Sequence, residues 1–327
     1  MEKLDLLKRR AFLAASLFVL GVAVIMAVGF YQSVSAAEVK QIKQKTFKSP
    51  EEAVKSLMDA VKSNDTKELL AIFGPAGKEI ISSGDEVADK RGREVFIKGY
   101  EEMSRMEKET DNKMILVVGN REWPFPIPLV KKGETWVFDT VAGKEELLNR
   151  RIGRNELNTI QTCLAYVDAQ REYAMKDRDS NKLLEYAQKF WSTKGKKDGL
   201  YWETKEGEEQ SPFGSVTARA IQEGYGPTKP GDKPVPYHGY FYKILKAQGK
   251  NAQGGAYDYV IKDKMIGGFA LVAYPAEYGA SGIMTFVVNH DGVVYEKDLG
   301  KETTKIASAM TKYDPDKTWK HAEEPKK

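Results

Sequence analysis

The chain has 327 residues, 41% of them apolar and 30% charged, with a formal net charge of +4 and one cysteine. That length holds about two domains with real cores, and a lone thiol excludes an intramolecular disulfide framework. Residues 1–36 carry Lys3, Lys8, Arg9 and Arg10 against Glu2 and Asp5, which leaves the rest of the chain at only +2 and argues against nucleic acid as the main partner.

The chain opens with a positive flank, Lys8-Arg9-Arg10, ahead of an apolar run from Ala11 to Tyr31 and then Val34-Ser35-Ala36. This is the three-part pattern of a secretory signal. The run is also long enough to span a bilayer, for which roughly 20 residues are needed, so residues 11–31 can instead be an uncleaved anchor. Both readings place the remainder outside the cytoplasm, because the positive flank stays inside. The location expected is periplasmic or otherwise extracytoplasmic, with or without anchorage in the inner membrane. Residues 37–45 form a linker.

A first α+β domain is expected over residues 46–150. Ser49-Pro50-Glu51-Glu52 starts a helix, with Ser as cap, Pro in the first turn and acids beside the positive end of the helix dipole. Val54, Leu57, Met58 and Val61 repeat at helical spacing behind it. Asp65 or Thr66 caps a second helix, which Gly74-Pro75 stops, and Arg93–Met106 reads as a third. A strand at Met114–Val118 leads into Trp123-Pro124-Phe125-Pro126-Ile127-Pro128. In an extended chain that alternation puts Trp123, Phe125 and Ile127 on one face. Proline cannot donate to a ladder, so the segment is an edge strand or a polyproline-like strip, and Trp123 and Phe125 are candidate contact residues. A last strand, Glu134–Thr140, carries Trp136 and Phe138.

Gly143–Asp177 then reads as a long joining helix. Leu157, Ile160, Leu164 and Val167 make one apolar stripe, flanked by Cys163, Tyr166 and Tyr173. Gly153 costs about 1 kcal/mol relative to Ala inside a helix, which predicts a break there with Asn155 capping the second segment. Arg150, Arg151 and Arg154 cluster at the break. They form either a solvated, ion-paired face or an anion site, since Arg presents a rigid fork of donors. Cys163 on the stripe is expected to be a core thiol; a catalytic thiol would need a neighbouring base and access.

The second domain is expected over residues 151–312. Asp177-x-Asp179-x-Asn181, with Glu185 following, resembles the start of a calcium loop, although Lys182 stands at the usual glycine. The alternative is a polar turn ending the helix. Ala187–Thr193 and Pro212–Glu223 are candidate short helices, and Gly224–Pro236 is a Gly- and Pro-rich loop. Strands follow from Tyr237 onward, where Tyr237 and Tyr240 offer a second aromatic contact surface. His290-Asp291-Gly292 between Ile283–Asn289 and Val293–Leu299 is a hairpin signal, and the first of these strands, apolar on both faces, is expected in the middle of its sheet. Residues 313–327 are a charged tail expected to be disordered.

Three resemblances attach to these segments. Helices first, then strands ending in "TWVFDT", resembles the cone-shaped NTF2-like fold; some members are enzymes with a carboxylate base, which would make Asp139 the candidate, walled by Trp123 and Trp136. A long helix over strands carrying "GIMTFVVN" and "DGVVY" resembles the globular domain of type IV pilins and pseudopilins. Gly29-Phe30 leads to no pilin-type apolar helix, so the resemblance implies a borrowed domain rather than a polymerising subunit. The whole chain from Phe47 to Asp316, through "SPEEAV", "WPFPIPLV", "FDTVAGKEELLNRRIGRNEL", "GGAYDYV" and "MIGGFALVAYPAEYGASGIMTF", resembles domain-of-unknown-function family 2950 of exported bacterial proteins. That resemblance implies an envelope location and supplies no activity and no site residues. The fold class expected is therefore α+β, an NTF2-like cone joined by a long helix to a pilin-like domain.

The chemistry-bearing residues are sparse. His238, His290 and His321 have no zinc spacing, and no phosphate loop, dinucleotide fingerprint or serine elbow is present. His238 with Asp258 or Asp291 would make a general-base pair if the fold joined them. Two functions follow as expectations. One is a non-enzymatic binding or assembly protein of the bacterial envelope that takes an envelope protein or a small apolar ligand, without cofactor unless calcium binds at Asp177–Glu185. The other is an envelope hydrolase or isomerase with Asp139 or His238 as base.

Overall fold

A computed structural model describes residues 43–178, 180–225 and 234–323. The signal-or-anchor segment lies outside the described residues. Among those described, no helix is long and apolar enough to cross a membrane.

Helix α1, Pro50–Ser63, begins as its sequence requires: the Ser49 hydroxyl accepts from Glu52 N at 3.2 Å. Its apolar stripe, Val54, Leu57, Met58 and Val61, is buried. Asp65 caps α2, Thr66–Phe73, by accepting from Lys67 N and Glu68 N. After a 3₁₀ turn and the short α3, Lys78–Ile81, helix α4 runs Glu86–Glu102. The helix expected at Arg93–Met106 thus starts a full two turns earlier, because Asp85 caps it. It also ends sooner, because Met103 is already extended and leads into a strand.

The first sheet is antiparallel with spatial order β1 (Ser104–Thr110), β2 (Lys113–Val118), β4 (Leu129–Lys132) and β5 (Thr135–Phe138). The two-residue β3, Trp123–Pro124, pairs on β2. Its face was legible but its exposure was not. Phe125 and Ile127 are buried, and Trp123 is half-buried with its ring edge-on to Phe96 of α4. Burying these rings against α4 is worth more than exposing them, so Phe125 is a core residue rather than the contact residue expected.

Helix α5, Thr140–Tyr173, is one unbroken helix of 34 residues, roughly 50 Å long at 1.5 Å per residue. The break expected at Gly153 does not occur. Just before it, Arg151 donates to the carbonyls of Glu79 and Ile80, both at 2.6 Å. Just after it, the buried Asn155 donates to Ser281 O at 2.9 Å rather than capping a new segment. Anchors on both sides outweigh the glycine's modest helical cost. Near its start, Gly143 is required: a Cβ there would lie 2.4 Å from Pro126 O.

Helix α6, Gly214–Gln222, follows a long irregular stretch. Residues 187–193 lie in that stretch and are not helical; there Trp191 bridges Tyr201. After β6 (Tyr240–Leu245) come two short antiparallel pairs, β7 (Ala247–Gln248) with β8 (Tyr257–Asp258) and β9 (Val260–Ile261) with β10 (Lys264–Met265). The second sheet has order β14 (Lys320–His321), β13 (Tyr295–Asp298), β12 (Met284–Asn289), β11 (Ala270–Pro275) and β6, all antiparallel. β12 is central, as its two apolar faces predicted. Ile160, Leu164 and Val167 of α5 join Phe286 of β12 in one core. The tail expected to be disordered adds an edge strand instead. Ala322 N donates to Val294 O at 2.9 Å, and the His321 ring meets Tyr295 edge-on at 4.6 Å.

The fold is thus mixed α+β, with seven helices and antiparallel sheets among the described residues. From Lys43 onward the chain clusters as one compact unit holding two apolar cores. The domain boundary drawn at 150/151 falls inside α5.

Candidate functional site

The sequence singled out His238, and the structure gives it company from three places in the chain. Asp85, fully buried, is the organiser. Its Oδ1 caps α4 by accepting from Ala88 N at 2.9 Å. Its Oδ2 accepts from the Tyr225 hydroxyl at 2.8 Å and from Gly239 N at 2.7 Å. One carboxylate therefore ties the start of α4 to the end of α6 and to the turn that enters β6. Tyr237 and Tyr240 bridge across that turn, and it holds His238 at φ 51° and Gly239 at φ 78°. A Cβ at Gly239 would lie 2.6 Å from Asn155 Nδ2, so the turn is wedged against α5. Positive φ at a non-glycine is uncommon and persists where the surroundings over-determine it.

That turn aims the imidazole at Glu223, which caps the C-terminus of α6. Glu223 Oε2 is 3.0 Å from His238 Nε2. The angles fall outside hydrogen-bond geometry, so both atoms are buried without a hydrogen-bond partner among the described residues. An unsatisfied buried polar atom costs about 1–3 kcal/mol, and in a native protein it calls for an explanation. The other carboxylate oxygen is well supplied: Oε1 takes Arg91 Nη1 at 3.0 Å from α4 and Arg219 Nε at 3.2 Å from one turn back on α6. The Tyr237 ring lies 4.1 Å from the imidazole and Tyr225 lies 5.0 Å from Tyr237, centroid to centroid.

The protonation states follow from this packing. Burial pushes the Glu223 carboxyl up, but Arg91, His238 and Arg219 outweigh it and hold the group below its ordinary value. Burial pulls the His238 imidazole below its ordinary 6.5, and the raising field of Glu223 does not make up the difference. Burial and the nearby Glu223 charge push the Tyr237 hydroxyl up to about 12. At neutral pH the nest therefore holds a carboxylate, two guanidiniums, a neutral imidazole and a neutral phenol. Such a set can bind an anion or shuttle a proton.

The other residues singled out in the sequence go elsewhere. Asp139 caps α5, its Oδ1 accepting from Ala142 N at 3.3 Å, so it is not the base of a pocket. Arg150 pairs with Glu146 one turn back and Arg154 is exposed; with Arg151 bound to carbonyls, the three do not converge on one anion. Tyr240 is fully buried and donates to Met284 O at 3.0 Å, so it offers no contact surface, whereas Tyr237 is half-buried inside the nest. Burial pushes the Cys163 thiol up to about 12, which makes it a core residue. Asp177 accepts from Asn181 N and Lys182 N, and Glu185 pairs with Lys264 at 2.9 Å; Asp179 lies outside the described residues. No group of three or more His, Cys, Asp or Glu is placed for a metal among the described residues. His238 meets neither Asp258 nor Asp291, and it is His290 that lies 3.9 Å from Asp291.

Two further charged features stand apart from these residues. A charged surface groove of about 410 Å³ runs along α1 and α2, lined by Lys45, Lys55, Asp59 and Glu68 among others, but these residues already pair with one another. Glu209 lies in a second cationic nest. It accepts from Lys176 Nζ at 2.8 Å, Arg178 Nη1 at 3.0 Å and Lys197 Nζ at 2.9 Å. The guanidinium of Arg178 stacks between Tyr173 and Trp202, 4.9 and 5.0 Å from their centroids.

Sequence reasoning missed Asp85, Arg91, Arg219, Glu223 and Tyr225. The local signals were an Asp before a helix and an Arg-x-x-x-Glu pair on one helix face, both too common to single out. In comparison with known proteins, the family described as "Protein of unknown function (DUF2950)" matches residues 44–322. No curated protein and no solved structure matches the chain, so the cone-like and pilin-like resemblances remain descriptions of element order.

Proposed function

We propose, from the premise that this chain belongs to the DUF2950 family, that it is a non-enzymatic binding or assembly protein of the bacterial cell envelope. The observation that carries this reading is how its chemistry-bearing side chains are spent. Asp139 caps a helix, Cys163 is sealed in the core and Asp177 closes a turn. The Glu223–His238 nest keeps polar atoms unused, and we take it as the recognition point. The basic flank and apolar run of residues 8–31 support export. The partner is an envelope protein or a small ligand. The test is a photo-crosslinking side chain in place of Val95, which is 65% exposed and one turn along α4 from Arg91, with irradiation of intact cells. A discrete adduct in the envelope fraction is expected; a chain that fractionates with the cytoplasm overturns the reading.

A second reading is favoured by one observation, the 3.0 Å approach of Glu223 to His238. Such a pair can act as a general base in an envelope hydrolase or isomerase, since catalytic hydrogen bonds are often misaligned until substrate binds. Turnover of ester or amide substrates that His238→Asn abolishes, with a rate rising through the imidazole's own titration, would establish it. Equal rates in both proteins would remove it.

A further inference from the structure

We propose that Arg91 and Arg219, set around Glu223 beside His238, form a receptor for a single carboxylate group on a small molecule or peptide. The inference rests on the reading of this nest as a recognition point and adds the chemistry of what it recognises. Arg91 and Arg219 come from different helices and converge on one oxygen, Glu223 Oε1, yet their side chains are 56% and 58% exposed. Each guanidinium carries five donors in a rigid fork, and Glu223 contacts one nitrogen of each, which leaves most of that capacity over. Two guanidiniums against one carboxylate leave a charge of +1 at the mouth. A monoanion neutralises it. A phosphate dianion would leave a negative excess beside Glu223, which favours the carboxylate.

The unused atoms inside the nest fit the same picture. Glu223 Oε2 and His238 Nε2 face one another without a hydrogen bond while the arginines hold Oε1. A ligand carboxylate that draws the guanidiniums outward frees the Glu223 carboxylate to turn and accept from Nε2. The imidazole is therefore a reporter of occupancy at the arginines.

The chain has three histidines, so the imidazole resonances of the full-length protein in detergent can be assigned with His238→Asn. Titration with N-acetylglycine is expected to shift the His238 signals saturably while those of His290 and His321 stay fixed. N-acetylglycinamide, which lacks the carboxylate, should leave all three in place. Arg91→Gln and Arg219→Gln should each weaken binding roughly tenfold, equivalent to about 1.4 kcal/mol, with unmoved His290 and His321 signals showing that the fold is intact. No His238 response to N-acetylglycine, or an equal response to inorganic phosphate, would overturn the proposal. Failure here with a persistent envelope adduct would leave the binding reading standing. Saturable N-acetylglycine binding by a cytoplasmic chain would do the reverse.

Discussion

Two glutamates in this protein sit among cations, and they are treated oppositely. Glu209 has both oxygens engaged by Lys176, Arg178 and Lys197, and Arg178 is clamped between two aromatic rings with 6% of its side chain exposed. Glu223 has one oxygen shared by two half-exposed arginines and the other buried beside an imidazole without a hydrogen bond. The first nest is closed around its anion: both Glu209 oxygens are engaged, and neither is left without a cation. The second holds unanswered atoms in a strained turn. Full satisfaction rigidifies a polar cluster, whereas partial satisfaction is costly enough to need a reason. Composition alone would rank the Glu209 nest, with more cations, as the better anion site. Accounting for each polar atom reverses that ranking.

The largest effect expected separates the two on stability. Arg178→Ala removes a buried cation, leaves its slot between Tyr173 and Trp202 empty and leaves Glu209 to two lysines. A loss of about 3 kcal/mol is expected, read as a lower midpoint in chemical denaturation. Glu223→Gln should cost less than about 1 kcal/mol in the same assay, because half of that carboxylate makes no hydrogen bond. If the two variants lose equal stability, the distinction between a closed and an open nest fails.

Acid sharpens the comparison. Lys176, Lys197 and Arg178 hold the Glu209 carboxyl down to about 2. A depressed carboxyl contributes stability that is present above its unfolded value, near 4.5, and is lost as pH falls from there through about 2. Below pH 4.5 the gap between the native protein and Glu209→Gln should therefore narrow; a constant gap down to pH 2 would show that the ionised carboxylate is not what the variant loses.

For His238 the window opens higher, at the unfolded value of 6.5. Its folded value lies below the ordinary 6.5 because burial penalises the charged imidazole. The unfolded chain then takes up the proton first. Stability contributed by the neutral imidazole is present above 6.5 and declines as pH falls from there toward the folded value. His238→Asn should remove that decline. Glu223→Gln, the smallest change expected, should lower the His238 titration midpoint further, because the carboxylate raises it. An upward move measured by NMR would mean that the two side chains do not face one another in solution.

How much of this was legible depended on distance along the chain. The Ser49 cap, the stripe of α1, the hairpin at residues 290–292 and the packing of Ile160 and Val167 on Phe286 rest on local patterns, and all appear as read. Gly153 misled because a cost of about 1 kcal/mol is decided by neighbours, and Arg151 and Asn155 are anchored by residues 71 and 126 positions away. The Trp123 strip had the right alternation, but only the tertiary fold says that its aromatic face turns inward. The nest was least legible of all. His238 was visible as a lone titratable group, but its partner is 15 residues back, before a Gly- and Pro-rich stretch of sequence, and the turn that carries His238 is held by Asp85, 154 residues from Gly239. A carboxylate that arrives through tertiary contact leaves no mark in sequence spacing.

The uninterrupted course of α5 bears on how such a chain can be inherited. Ile152, in the middle of that rod, is buried, with Arg151 latched to residues 79 and 80 on one side and Asn155 latched to residue 281 on the other. A gene split at codon 150 would hand one fragment a helical stump without its latch and the other a sheet without the start of its spine. A split there would cut through packed structure rather than along a seam, and the family model spans the point, matching residues 44–322.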